Sequence, residues 1–263
     1  MTTSDPPTIH VTVLGSGTCV PSLTRSACAV LVTVGGNRLL FDIGPGSMRR
    51  LLEAGIRVQD LSHVCISHFH PDHTGELAPL IFANKYPDAS LRRNPLTIIG
   101  GPGFQDFMAR LEGVYGAWIR LDAGMLALRE APPDGCLRYK ANDWTLETMP
   151  VRHNPESVAY RLSVDGGPSV VYSGDTDYSK DLVSLALDAG LFICEAARPD
   201  EHPVAGHLTP SQAGRMATEA GARKLMLTHF YPDCEDVDLA AQCGRTYKGP
   251  ILLATDLMTV EVG

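Results

Sequence analysis

No uninterrupted apolar run in this chain approaches the roughly 18 residues that a membrane-spanning helix needs. The opening stretch MTTSDPPTIHVTV has no basic segment followed by an apolar one, so it does not read as a secretory signal. Basic residues are outnumbered 22 to 30, and the resulting net charge of -8 argues against a broad nucleic-acid-binding surface. There is no CxxC pair. The seven cysteines are dispersed, several inside apolar runs such as VCIS and FICE, and read as buried small hydrophobes in a reducing compartment. No linker rich in Pro, Gly or Ser and no short repeat divides the chain. These absences leave a cytoplasmic protein with residues 1–7 as a short flexible tail and 8–263 as a single domain.

What is present is an ordinary globular composition, 44% hydrophobic and 20% charged over 263 residues, long enough to bury a core without staples. IHVTVLGSGT opens as a strand and a glycine-rich turn; ACAVLVTV and RLLFDIG, joined through GGN, read as a hairpin. SMRRLLEAG, GELAPLIFANKY, GFQDFMARLEGVYG, SKDLVSLALDAG, LTPSQAGRMATEAGA and DVDLAAQCGRTY read as helices. In the fifth of these, Thr209 is placed as N-cap, Pro210 at the first position and Gln212 where a capping box wants it. LSHVCIS, LTIIG, LETMPVRH, SVAYRLSV, VVYSGDT, LFICEA, KLMLTH, ILLATD and MTVEV read as strands. Strands alternate with helices but hairpins are mixed in. That favours mixed sheets covered by helices over a purely parallel sheet. Residues 102–136, with Phe104, Phe107, Tyr115 and Trp118, read as either a lid or a wall of a pocket.

The stretch SHFHPDHTG carries three of the chain's nine histidines within six positions, between a buried strand and a helix. In extended chain His68 and His70 project to the same side. Asp72 and His73 follow Pro71, whose fixed φ favours a turn. Two pairs of ligands can therefore face two adjacent points, and imidazole with carboxylate suits zinc, iron or manganese. Four ligands do not complete two sites. His153, Asp175 and His229 each end a strand-like run, where loops of one sheet edge converge, and His207 in GHLTP precedes a helix. The stretch LGSGT is not a nucleotide fingerprint, because it lacks the third glycine and a helical pattern after it.

HFHPDHTG resembles the signature of the metallo-β-lactamase superfamily. The order of LGSGTCVPS and FDIGPGS before it, and of His153, SGDT, GHLTP and THFYP after it, is most similar to the ribonuclease Z branch and its phosphodiesterase relatives. The resemblance covers about residues 9–262. It implies an α/β (α+β) fold, an αββα sandwich of two mixed sheets with helices outside and a dinuclear site at one edge. It implies that His68, His70 and His153 bind a first divalent ion, that Asp72, His73 and His229 bind a second, and that Asp175 bridges both. Zinc is the default, with manganese or iron as alternatives. Asp42 matches a position that orients a ligand loop, His207 a histidine that acts on the leaving group, and Glu195 is placed to hold His207. The flavodiiron relatives carry glutamate where this chain has His70, which speaks against a redox centre.

Two ions held roughly 3.5–4 Å apart can share a water and lower its pKa toward neutrality. Asp72 can then aim that water, and His207 can serve the departing oxygen as general acid. Ribonuclease Z enzymes carry a long arm that clamps transfer RNA, inserted where this chain has only the turn DGGPS. With the acidic balance, this departure speaks against transfer-RNA processing and for a small phosphodiester or cyclic nucleotide. A carboxyl-ester, lactone or thioester hydrolase on the same site, a ribonuclease Z-like endonuclease, and a non-catalytic metal-binding module are the alternatives. No membrane partner is expected. A homodimer is allowed by the resemblance, since relatives are often dimers.

Overall fold

A computed structural model describes residues 8–85, 92–141 and 143–263. The expected tail at 1–7 and the last residue of the expected helix GELAPLIFANKY lie outside the described residues. Two seven-stranded sheets are present. The first contains β1 (Ile9–Gly15), β2 (Ala29–Val34), β3 (Asn37–Phe41), β4 (His63–Ile66), β5 (Leu96–Gly100), β6 (Leu126–Glu130) and β14 (Thr259–Val262), in the order β14-β1-β2-β3-β4-β5-β6. The second contains β7 (Arg138–Lys140), β8 (Trp144–Pro150), β9 (Val158–Val164), β10 (Ser169–Tyr172), β11 (Leu191–Glu195), β12 (Leu225–Thr228) and β13 (Ile251–Leu253), in the order β13-β12-β11-β10-β9-β8-β7. Each sheet is mixed. In the first, β14 through β3 pair antiparallel and β3 through β6 parallel. In the second, β7 through β10 pair antiparallel and β10 through β13 parallel.

The near-continuous apolar runs follow from burial on both faces of each sheet. Side chains alternate along β2: Val30, Val32 and Val34 enter a core shared with Tyr160, Leu162 and Val171 of the second sheet. Ala29 and Leu31 instead join a second apolar cluster with Leu51, Leu80, Ile81 and Phe104. Those four come from α1 (Ser47–Glu53), α3 (Leu77–Lys85) and α4 (Phe104–Tyr115), so helices cover that face. On the second sheet, Leu182 of α5 (Lys180–Leu185), Met216 of α6 (Pro210–Glu219) and Leu239 of α7 (Leu239–Cys243) pack into the first cluster. The capping box of Thr209 and Gln212 opens α6, with Pro210 in its first turn. The architecture expected from the sequence is the one observed, two mixed sheets flanked by helices.

Two differences are instructive. Residues 102–136, read as a lid or a pocket wall, are not a free lid: after α4, Leu126–Glu130 pairs parallel with β5 and extends the sheet edge. The helix expected in DVDLAAQCGRTY is only Leu239–Cys243, because Asp238 caps its start and Gly244 its end. All seven cysteines are free and five are buried, Cys19 and Cys136 being the exposed ones.

Topology determines where the polar loops meet. β10, β11 and β12 run parallel, so the residues just past them lie at one edge of the second sheet. β8 is antiparallel to β9, which is antiparallel to β10, so the residues after β8 reach the same edge. In the first sheet β3 and β4 are parallel, which puts Asp42 and His68 side by side at the strand ends. Val158 N donates to Ser67 O at 2.9 Å, tying the end of β4 to the second sheet.

Candidate metal centre

The loop after β4 leads into α2 (Pro71–Thr74), with Pro71 at its first position. Pro71 fits there because its missing N–H would have had no helical partner. His68 thus leaves the strand extended, while Asp72 and His73 are carried on the first helical turn. Gly44 is needed opposite: a Cβ there would lie 2.0 Å from Asp72 O. Gly174, with φ +58, lets the loop after β10 approach Ser67, whose Cβ would be 2.6 Å from an added methyl.

The structure brings the seven histidines and aspartates proposed as ligands into three overlapping groups, whose donor atoms lie within 4.8 Å of one another in each. His68, His70, His153 and Asp175 form one, Asp72, His73 and His229 another, and Asp175, His207 and His229 a third. Asp175 stands between the first two: its Oδ2 is 3.7 Å from His68 Nε2 and 3.3 Å from His73 Nε2, and its Oδ1 is 3.3 Å from His229 Nε2. Asp72 Oδ2 lies 3.7 Å from His73 Nε2 and 3.6 Å from His229 Nε2.

The imidazoles are oriented from behind. His73 Nδ1 donates to Asp42 Oδ2 at 2.7 Å and His153 Nδ1 to Gly206 O at 2.9 Å, so both present Nε2 to the centre. His70 Nε2 meets the Asn154 side-chain amide at 3.2 Å, which leaves Nδ1 facing inward. Asp42 is fully buried and also accepts Ser67 N, Ser67 Oγ and the Tyr172 hydroxyl, at 2.6–2.7 Å. Tyr172 in turn contacts Cys28 Sγ at 3.2 Å. Asp42 and His229 both hold positive φ, 57° and 62°, a backbone strain that non-glycine residues keep mainly where a site requires it.

The arrangement fits a cation poorly served by protein alone. His73 Nε2 faces His229 Nε2 at 3.3 Å, and His153 Nε2 faces His70 Nδ1 at 3.3 Å. Without a proton or a cation between them, two imidazole lone pairs repel at that distance. His68 Nε2 and Asp175 Oδ1 are buried without a hydrogen-bond partner among the described residues. The ionisation follows the same logic. Burial, with neighbouring His73, pushes His68 down to about 2. Burial would also lower His73, but Asp175 and Asp42 raise it well above the usual histidine range. Burial would raise Asp175, yet His229 and His73 hold it well below the usual carboxylate range. The carboxylates thus favour positive charge at this point. The donor set of imidazole and carboxylate fits a divalent metal.

His207 stands beside this cradle, its ring 5.0 Å from that of His153 and stacked at 5.7 Å on that of His229. Its Nδ1 meets Glu195 Oε1 at 3.0 Å. Glu195, at the end of β11, is itself fixed by the backbone N–H groups of Thr176, Ala197 and Leu208. Burial would lower His207, but Glu195 raises it to about 9.

A family model described as "Beta-lactamase superfamily domain" matches residues 37–230, which contain all seven proposed ligands, Asp42, Glu195 and His207. The chain belongs to the beta-lactamase superfamily. Its ribonuclease Z-like branch is indicated by the curated relatives. "Ribonuclease Z" of Streptomyces avermitilis is 32% identical, over 96% of this chain and 97% of that one. "Ribonuclease Z" of Mycobacterium sp. (strain KMS) is 29% identical, over 97% and 96%. Among solved structures, the metallo-beta-lactamase fold protein YhfI from Bacillus subtilis superposes with a TM-score of 0.81, at 25% identity over 97% of this chain and 99% of that one. As a member of this superfamily branch the protein is a metal-dependent hydrolase of ester bonds.

Sequence reading missed several residues that build the superfamily site here. Ser67 and Tyr172 hold Asp42, with Cys28 against the Tyr172 hydroxyl; Asn154 meets His70; Thr176 binds Glu195. Of the aromatics flagged in 102–136, Phe104 is buried in the core and Phe107 stacks on Phe69 with centroids 4.6 Å apart. Phe69 and Phe107 line a cleft of about 320 Å³ with Pro102, Gly103, Pro155 and Glu156. Tyr115 and Trp118 line a separate groove with Ala78, Pro79 and Phe82. No helix among the described residues is long and apolar enough to cross a membrane.

Proposed function

We propose that this hydrolase is a dinuclear phosphodiesterase acting on small phosphodiesters or cyclic nucleotides. His68, His70 and His153 would hold one divalent ion, Asp72, His73 and His229 the other, with Asp175 between them; zinc suits these donors, and manganese or iron would accept them. When bound, two such ions lower the pKa of a water and neutralise phosphoryl charge. The rest falls to the protein's own groups. Asp72, buried beside His73 and His229, accepts a hydrogen bond from the attacking water and aims it. His207, kept protonated by Glu195, gives its proton to the departing oxygen, so that diester and water become monoester and alcohol.

The observation that carries this reading is the His207–Glu195 pair: a cationic acid held beside the ligands by a fully buried carboxylate, positioned for a leaving group that needs a proton. Small substrates are supported by the connection between β9 and β10. Only residues 165–168 join the two strands, where a transfer-RNA-clamping arm would need a long insertion. A panel of bis-aryl phosphates, cyclic nucleotides, lactones and thioesters on metal-replete protein tests it. Turnover confined to lactones or thioesters would refute it.

A second reading, endonucleolytic processing of RNA, has one observation in its favour: curated relatives named Ribonuclease Z align with nearly the full chain. Cleavage of a precursor transfer RNA by the isolated protein would support it.

A further inference from the structure

The geometry points to Tyr231 as a substrate-binding residue, whose hydroxyl donates a hydrogen bond to an oxygen of the bound phosphoryl group, with Arg198 as the positioning residue that holds the ring. This rests on the phosphodiesterase reading and adds to it a wall of the site that no ligand or acid role explains.

Tyr231 follows His229 by two residues, and its ring stands edge-on to the two imidazoles nearest the proposed chemistry. Centroids are 6.0 Å from His229 and 6.3 Å from His207, at 79° and 76°. The hydroxyl is nearly unspent: its one hydrogen-bonding partner among the described residues is Cys19 Sγ at 3.6 Å, and sulfur is a weak partner. An unspent donor on a part-buried ring at the mouth of an anion-processing centre is available to a substrate oxygen.

The ring is preorganised. Tyr231 N donates to Ala197 O at 3.2 Å. The Arg198 guanidinium lies over the ring, 4.2 Å from its centroid, and is tied to Asp233 at 2.9 Å. A cation over the face is attracted by the ring quadrupole and holds the ring in one orientation. Cys19 comes from the loop after β1, and that loop is fastened beneath Tyr231. Arg25 binds Glu235 Oε1 at 2.6 Å and Ser16 Oγ at 2.7 Å, and Phe230 N donates to Ser16 O at 3.0 Å. A donor fixed before substrate arrives contributes more to transition-state binding than one that must be ordered.

The test uses Tyr231→Phe, which keeps the ring and removes only the hydroxyl, and Arg198→Ala, both in full-length metal-loaded protein. Two readouts are taken: kinetics on whichever ester the parent protein turns over, and the Kd for inorganic phosphate by calorimetry. Losing one such donor from a part-exposed site should lower kcat/KM by about 10- to 100-fold. The phosphate Kd should weaken about tenfold, with metal content and thermal midpoint unchanged. Arg198→Ala should reproduce part of the loss as a rise in KM. Values within twofold of the parent for Tyr231→Phe in both readouts overturn the assignment. So does failure of the parent protein to bind phosphate or hydrolyse any ester. If the parent cleaves only lactones, the phosphodiesterase reading fails. Tyr231 is then judged by its phosphate Kd alone.

Discussion

Asp42→Asn is the substitution whose consequences the structure specifies most fully. The side chain is nearly isosteric, and asparagine tolerates the left-handed backbone at φ 57° as well as aspartate does. What changes is acceptor capacity. Asp42 Oδ1 accepts Ser67 N, while Oδ2 accepts Ser67 Oγ, His73 Nδ1 and the Tyr172 hydroxyl. An amide that keeps its oxygen toward Ser67 N turns its NH2 toward three donors. Two of these are hydroxyls that can rotate; the His73 N–H must find a new tautomer. Each buried group left unsatisfied costs about 1–3 kcal/mol, so with partial relief a loss of roughly 3–5 kcal/mol is expected. That is a large part of a typical domain stability of about 5–15 kcal/mol. The same change frees His73 to present the wrong nitrogen to the centre, and loss of such a supporting partner weakens metal binding by about 10–100-fold. Two assays separate these effects: denaturant unfolding of chelator-treated protein, and metal titration of the folded variant. A variant with parent-like unfolding and parent-like metal affinity would refute the account of Asp42 as anchor of the centre.

His207→Ala should lower kcat by about 10²–10⁴-fold on diesters with alkyl leaving groups and far less on nitrophenyl esters, whose departing oxygen needs no proton. Equal losses on both would assign His207 to binding instead. His63, buried against Tyr139 and Trp144, is lowered by burial from 6.5 to about 4. Above pH 6.5 both folded and unfolded chains are neutral there. As pH falls toward 4 only the unfolded chain takes up the proton, so stability declines through that window by roughly 2–4 kcal/mol. His63→Gln should flatten that part of the profile in denaturant unfolding between pH 7 and 4, and an unchanged slope would exclude His63 as its source.

The sequence made legible what depends on local spacing. HFHPDH declares itself because strand alternation and a proline-opened turn are both short-range, and His153, Asp175 and His229 because each ends an apolar run. Helix α6 was legible from its capping box. What stayed hidden depends on long-range approach. Tyr172 reaches Asp42 across 130 positions, and nothing in VVYSGDT distinguishes its tyrosine from a core residue. The strand Leu126–Glu130 was hidden because its partner β5 lies on the other side of α4 and parallel pairing leaves no hairpin signal. Tyr231 was visible only as part of THFYP; the cation over its ring comes from Arg198, 33 positions earlier in the chain, which no local pattern announces.

The central claim, a two-ion centre that hydrolyses phosphodiesters, is tested most directly by reconstitution. Chelator-stripped protein is titrated with zinc or manganese while metal content and bis-aryl phosphate turnover are followed together. The account predicts no activity in stripped protein, saturation near two equivalents per chain, and activity that rises with the second equivalent. Full turnover in metal-free protein, or two bound ions with hydrolysis of carboxyl esters alone, would contradict it.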